Sequence, residues 1–396
     1  MPAGVPGGGA GIPAGGPVSD EALAALRERL AGPSADVLAD TAAESAAAEA
    51  GRDLERDRWP DRPEVSYMDD PAAFDQVYDE ARAARARGED PVPYMTEDAT
   101  GGLGARDGGC AFGVEIEFDL EPGVDRYAAL QAIGRDMHAA GLTTSPRQQA
   151  YHGGGHVSSE SHRGGWKFET DSTVAGEIVS PKMYDEPETW QNLAKVCEIV
   201  QRHGGIATTR TGGHVHVGLG DYDHTVENHN RLLQTAAGYQ DTLYRLAQNP
   251  GARNQRAGAY CVPNRDPGRG YSSIGSARAS NQGHQGVNFG SVQGTRADHV
   301  EFRMWDGSLR PGVIQAQVNL SLGMTAAAAR GGYTPPSHER IGTHLNQNPR
   351  RRRLRGEEWR EQTRSMRQLA DTVFRRARNS AQAATLFAST RWQAER

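Results

Sequence analysis

Residues 112–118 read FGVEIEF and place Glu115 and Glu117 two positions apart inside an apolar run. Side chains alternate faces along a β-strand, so residues two apart project from the same side of the sheet. Burying an isolated carboxylate is costly, and two carboxylates on one face repel each other. The run therefore predicts a strand whose glutamates either line an exposed face or bind a divalent cation.

Two other apolar runs show the same spacing. His214 and His216 flank a valine, and Glu301 and Arg303 flank a phenylalanine. Taken singly, the histidine pair is also typical of a satisfied core, and the Glu/Arg pair of an ordinary ion-paired strand. Their occurrence together favours one sheet face that carries carboxylates and imidazoles. Such a face could hold a divalent metal, because Mg²⁺ and Mn²⁺ take carboxylate oxygens and an imidazole favours Mn²⁺ or Zn²⁺.

The pattern around these runs predicts an α+β catalytic domain over residues 108–330. The predicted strands are residues 110–120, 176–180, 214–219, 286–289 and 299–305. The predicted helices are residues 127–140, 188–203, 225–248 and 313–329.

The two ends of the chain have opposite charge. Residues 1–107 form an acidic, low-complexity extension, and a linker at 331–349 leads to an Arg-rich tail at 350–396. We predict disorder at the extreme N-terminus, a helix at 71–87, and an Arg-rich helix that runs through the tail. The charged termini could bind a protein partner or simply stay solvated.

Several classes of protein are disfavoured. No apolar stretch approaches the roughly 18–20 residues that span a bilayer, and the N-terminus lacks a signal core, so we expect a cytoplasmic protein without membrane contact. Three cysteines are too few for a disulfide framework or a Cys-based zinc site. Nucleic acid is not favoured as a partner of the tail, because no aromatic platform or nucleic-acid-binding motif accompanies the arginines.

With GEIVSP at residues 176–181, the three runs appear in an order that resembles the amidoligase family, over about residues 108–330. These carboxylate–amine ligases share the catalytic fold of glutamine synthetase. The resemblance implies a curved antiparallel sheet backed by helices, with two or three Mg²⁺ or Mn²⁺ ions. It also implies ATP-dependent formation of an amide or isopeptide bond, in which a carboxylate becomes an acyl phosphate that an amine displaces.

The resemblance also implies which residues bind metal. It assigns one ion to Glu117, Glu177 and Asp171, and another to Glu115, His214 and Glu301. Glu169 is an alternative to Asp171, because it lies two residues earlier and would share the same face if the segment is extended.

A further set is implied for the nucleotide. His216 would face the phosphates, and Arg303, next to the catalytic Glu301, would neutralise the γ-phosphoryl group in transfer. This agrees with the general requirement of phosphoryl transfer for a cation on the developing charge. Arg253 and Arg256 are candidates for nucleotide or acyl-phosphate contacts, with a plain surface loop as the alternative, and Asn288 for orienting substrate, with an ordinary turn role as the alternative.

Other functions stay open at this point. A metal-dependent hydrolase could use the same Glu/His clusters and would need no nucleotide. A non-catalytic scaffold could retain the fold without metal. For a ligase, the carboxylate substrate could be a γ-glutamyl or peptide group, and the amine an amino acid, a polyamine or a protein lysine. We expect selectivity in the loops at 151–166 and 251–286.

Overall fold

The structure is a computed structural model. It describes residues 60–151, 165–219, 225–247, 260–264, 268–290, 292–293, 296–297, 299–330, 354–390 and 394–395. These residues belong to one compact unit, Arg58–Arg396. The disorder predicted at the N-terminus, most of the loop at 151–166, Arg253, Arg256 and the linker at 331–349 lie outside the described residues.

The described elements are a mixture of strands and helices. The strands are β1 (Phe112–Leu120), β2 (Lys167–Glu169), β3 (Gly176–Val179), β4 (Gly205–Ile206), β5 (Gly213–Gly218), β6 (Val287–Asn288), β7 (Val292–Gln293), β8 (Arg296–Ala297), β9 (His299–Phe302), β10 (Leu354–Arg355) and β11 (Ala394–Glu395). The helices are α1 (Pro71–Ala86), α2 (Arg126–Ala139), α3 (Pro187–Arg202), α4 (Val226–Gly238), α5 (Gln240–Ala247), α6 (Ile274–Ser280), α7 (Pro311–Arg330), α8 (Gly356–Val373) and α9 (Ala377–Ser389).

One antiparallel sheet dominates the fold. Its order is β2-β3-β1-β5-β9-β6, and β4 pairs with the end of β1. Three motif strands, β1, β5 and β9, are therefore neighbours. The prediction of an α+β fold with an antiparallel sheet is confirmed.

The sheet has one apolar face, which α7 covers. Val114, Ile116 and Phe118 alternate with the acidic residues of β1 and are buried. Helix α7 contacts β1 and β5 and is buried at every position from Gly312 to Ala328, as expected of a central helix. The polar residues of β1 are thus left on the opposite face.

Both described flanks of the predicted catalytic domain pack onto it. In α1, Phe74 and Tyr78 lie against Phe387 of α9, with ring centroids 6.1 and 6.2 Å apart. Asn319 of α7 donates hydrogen bonds to Ala99 O and to Gln382 of α9. The domain bounds stay a prediction, but these flanking helices share one hydrophobic core with the sheet.

Two predicted helices are each divided in the structure. The helix expected at 225–248 breaks at Tyr239, between α4 and α5, and the helix expected in the Arg-rich tail consists of α8 and α9. Helices α7 and α8 approach closely at Gly323, where a Cβ atom would lie 2.5 Å from the carbonyl oxygen of Val373. None of the helices within the described ranges is long and apolar enough to cross a membrane.

Candidate active site

The strand register collects the predicted functional side chains on one face of the sheet. Residues directly opposite each other in an antiparallel pair share a face and lie close together. Three such rows cross the sheet: Glu169, Glu177 and Glu117 on β2, β3 and β1; Glu115 and His214 on β1 and β5; and His216, Glu301 and Asn288 on β5, β9 and β6.

Glu115 lies at the centre of this face. One carboxylate oxygen is 2.6 Å from His214 Nδ1, and the other is 3.0 Å from His216 Nε2. Burial opposes ionisation of Glu115, but the charge of His216 and the hydrogen bonds from both imidazoles hold its pKa well below the usual range. Burial also opposes the charge on His216, and Glu115 overcomes this and raises the pKa of His216. Each group therefore favours the charged form of the other.

The Glu301 carboxylate connects the histidines to Arg303. Its Oε1 lies 3.3 Å from His214 Nδ1 and accepts a hydrogen bond from Arg303 Nη1. Asn288 Nδ2 donates to the other oxygen at 2.7 Å. The backbone N–H of Arg303 donates to Gly286 O at 2.7 Å, which fixes the start of this side chain. Asn288 thus orients a carboxylate of the site.

The glutamate row has an excess of negative charge. Burial, and next the charges of Glu115 and Glu117, raise the pKa of Glu177 to about 9. The Glu117 carboxylate is fixed by the backbone, because one of its oxygens accepts a hydrogen bond from the N–H of Gly212 at 2.6 Å. At neutral pH and without metal, Glu177 keeps its proton.

Asp171 lies in the turn between β2 and β3. Its Oδ1 accepts the backbone N–H of Thr173 at 2.6 Å and that of Val174 at 3.1 Å. Glu169 occupies the sheet position next to Glu177. Asp171 as a metal ligand stays a prediction, and Glu169 is the carboxylate that the register puts in the row.

The donor set fits a hard or borderline divalent cation. Two groups have one potential ligand atom per residue, all within 4.8 Å of one another: Glu115, Glu177 and His214, and Glu115, His216 and Glu301. Carboxylate oxygen with one imidazole nitrogen suits Mn²⁺, Mg²⁺ or Zn²⁺. The expected grouping differs: Glu177 joins Glu115 and His214, and His216 joins Glu115 and Glu301. Among the described residues, Glu117 and Asp171 belong to neither group, and their role as ligands stays a prediction.

Two side chains near the face were not singled out from the sequence. Lys167 Nζ lies 3.8 Å from Glu169 Oε1 on β2, and the scarcity of lysine in this chain was the available signal. Tyr151 is 56% exposed, and burial of its hydroxyl, with the charges of Glu177 and Glu115, raises its pKa. Tyr151 therefore lies at the edge of the same face.

The structure thus defines an α+β protein with a carboxylate–imidazole face suited to divalent metal. Residues 109–267 match the family described as "Putative amidoligase enzyme". The resemblance found in the motifs is confirmed, and the match supports a ligase of the amide-forming kind. The matched segment includes Glu115, Glu177 and His216 and ends before Glu301.

Comparison with other proteins adds little to this. A solved structure titled "GmaS/ADP complex-Conformation 1" is similar to this chain, with 16% identity, a TM-score of 0.35, and coverage of 80% of this chain and 71% of that chain. No curated protein matches the chain.

Proposed function

We propose that this protein is an ATP-dependent carboxylate–amine ligase with a glutamine synthetase-like catalytic domain, which forms an amide or isopeptide bond through an acyl phosphate. One observation carries the proposal: two groups of potential metal ligands share Glu115, and Glu301 of one group accepts a hydrogen bond from Arg303. Phosphoryl transfer needs this combination of cations and a guanidinium on one surface. The family match supports the amide-forming reaction.

Glu115 and Glu177 with His214, and Glu115 and Glu301 with His216, would hold Mg²⁺ or Mn²⁺. Bound there, the ions would neutralise the phosphate oxygens of ATP. The raised pKa of Glu177 supports this assignment, because a cation would replace the proton that this carboxyl carries at neutral pH.

Arg303 would bind the γ-phosphoryl group. Its Nη1 is engaged by Glu301, and its Nε donates to Tyr260 O at 3.4 Å. A guanidinium has five N–H donors, so both donors on Nη2 can bind phosphoryl oxygens while the other contacts persist. Glu301 and Asn288 would position this arginine rather than react.

The reaction has two steps. An oxygen of the substrate carboxylate attacks the γ-phosphorus of ATP, the bond to the bridging oxygen breaks, and ADP leaves. The amine nitrogen then attacks the acyl carbon, phosphate leaves with the electron pair of the C–O bond, and the amine loses a proton. No nucleophilic side chain is required, so the residues of the sheet act by binding and orienting both substrates.

Calorimetric titration of ATP into the full chain with Mg²⁺ or Mn²⁺ tests this function. The compared variants are Glu115→Gln and Arg303→Gln, with Arg202→Gln as a control because that arginine is exposed on α3. We expect metal-dependent ATP binding that weakens in Glu115→Gln and persists in the control. Absence of ATP binding in folded, metal-loaded protein would overturn the ligase and leave a metal-dependent hydrolase or a scaffold.

A further inference from the structure

A cavity of about 390 Å³ lies beyond the glutamate row, at the C-terminal end of β1. Its lining carries charges of both signs: the carboxylates of Asp119 and Glu121 and the guanidinium groups of Arg126 and Arg210. We propose that this cavity binds the α-carboxylate and α-ammonium groups of a free amino acid, as a substrate of the ligase proposed above. The role of the amino acid as a substrate rests on the proposed function, whereas its binding to the cavity does not.

Asp119 supplies the anionic side. It is 5% exposed, and its oxygens accept hydrogen bonds from Thr208 Oγ1 at 2.6 Å and Arg210 Nη2 at 2.8 Å. An ionised carboxylate has about four acceptor sites, so these two contacts leave capacity for an ammonium group. The fixed position of Asp119 reduces the entropy lost when that group binds.

The arginines supply the cationic side. Arg210 makes one ion pair with Asp119 while its side chain is 65% exposed. Arg126 uses Nη2 to bind the carbonyl oxygens of Val174 and Ala175, both at 3.1 Å. Each guanidinium has five donors, and a carboxylate can bind two of them in parallel. These contacts therefore hold the arginines in place and leave donors for a carboxylate.

A purely structural role explains the arrangement less well. The ion pair joins the buried carboxylate of Asp119 to the mostly exposed side chain of Arg210, and the solvent around Arg210 screens the attraction between them. A structural pair would also not require a second arginine and an open cavity beside it. A cavity lined by both carboxylates and guanidinium groups fits a ligand with both charges better than an anion or a cation alone.

The same strand and the same loop contribute residues to the cavity and to the candidate active site. Asp119 follows Glu117 by two residues on β1, so it lies on the same face roughly 7 Å further along the strand. Thr208 and Arg210 belong to the loop at residues 207–212, whose last N–H binds the Glu117 carboxylate. An amino acid held by its α-groups here would therefore lie next to the candidate active site.

This placement predicts a free amino acid rather than a peptide, a polyamine or a protein side chain. A peptide bond removes the charge of an α-ammonium or α-carboxylate group, and a polyamine has no carboxylate. Blocked derivatives of any amino acid that binds should therefore lose affinity even though their side chains are unchanged.

The test is calorimetric titration of each of the twenty free L-amino acids into the full, Mn²⁺-loaded chain without nucleotide. The N-acetyl and C-amide derivatives of each ligand found are then titrated. We expect at least one free amino acid to bind and both derivatives to lose about tenfold or more in affinity, since each loses a charge-assisted contact. Arg210→Gln and Asp119→Asn should weaken binding similarly, and Arg202→Gln should not.

Two results would overturn the inference: no binding of any of the twenty amino acids by folded, Mn²⁺-loaded protein, or affinities that are equal in wild type, Arg210→Gln and Asp119→Asn. Arg210→Gln is expected to fold, because the Arg210 side chain is mostly exposed. Loss of binding in this variant would therefore not result from misfolding. Failure here, with metal-dependent ATP binding intact, would reject the amino acid cavity and keep the ligase. The reverse pattern would reject the ligase and keep the cavity.

Discussion

Replacing Glu177 with glutamine is expected to remove a pH-dependent loss of stability in the metal-free protein. The folded state raises the pKa of Glu177 to about 9, first by burial and then by the charges of Glu115 and Glu117. The ordinary pKa in the unfolded chain is 4.5. The folded state therefore binds the proton more tightly, and the stability from protonated Glu177 is fully present below pH 4.5 and is lost as pH rises to about 9.

The size of this effect follows from the shift. One pKa unit corresponds to about 1.4 kcal/mol, so between pH 4.5 and 7 Glu177 would lower the free energy of unfolding by at most about 3 kcal/mol. Glutamine has the same shape and does not ionise. His216 titrates in both proteins, so the difference between wild type and Glu177→Gln isolates the glutamate.

The assay is urea unfolding in EDTA at pH 5, 6, 7 and 8. We expect the unfolding free energy of wild type to fall relative to Glu177→Gln by up to about 1.4 kcal/mol per pH unit. Glu198→Gln, at an exposed glutamate of α3, is the matched control and should follow wild type. Identical pH dependence in wild type and Glu177→Gln would refute the assignment of a raised pKa to this residue.

Three more outcomes are expected. Arg303→Lys should lower the rate of ADP release by about 100-fold or more with little change in ATP affinity, because lysine keeps the charge but cannot bind two phosphoryl oxygens in parallel. Steady-state kinetics and calorimetry measure the two effects. Asn288→Ala should weaken Mn²⁺ binding about tenfold in a metal titration, since Glu301 loses an orienting hydrogen bond. Phe387→Ala should cost about 3–5 kcal/mol of unfolding free energy by urea denaturation, because this side chain packs α9 against α1.

Side chains alternate between the two faces of any strand, so the sequence alone predicted which motif residues share a face. Glu115 and Glu117 on β1, and His214 and His216 on β5, share one face as their spacing required. The pairing between strands is set by packing and by the loops that join them, and no local pattern encodes it. The register therefore decided that Glu115 belongs to both ligand groups, which sequence alone did not indicate.

The apolar face of the helix at 71–87 was visible in the sequence, but the packing of the Arg-rich tail was hidden for a different reason. Charge dominates the composition of both ends, whereas the packing depends on a few apolar side chains at helical spacing. Phe74 and Tyr78 on α1 meet Phe387 on α9 although the two segments are far apart in the chain. Average charge describes the solvent-facing residues of such helices and says little about the face that is buried.

The two halves of the candidate metal-binding face neutralise their charge in different ways. Glu115 stays ionised because His216 and His214 bind it, whereas Glu177 keeps a proton because it is buried and because Glu115 and Glu117 add negative charge beside it. A metal ion that binds Glu177 must therefore displace a proton, while the carboxylate of Glu115 is ready for coordination. Metal binding at Glu177 should consequently release a proton below about pH 9, and Glu177→Gln should lower proton release by about one proton, with release from His216 unchanged, in calorimetry in buffers of different ionisation enthalpy.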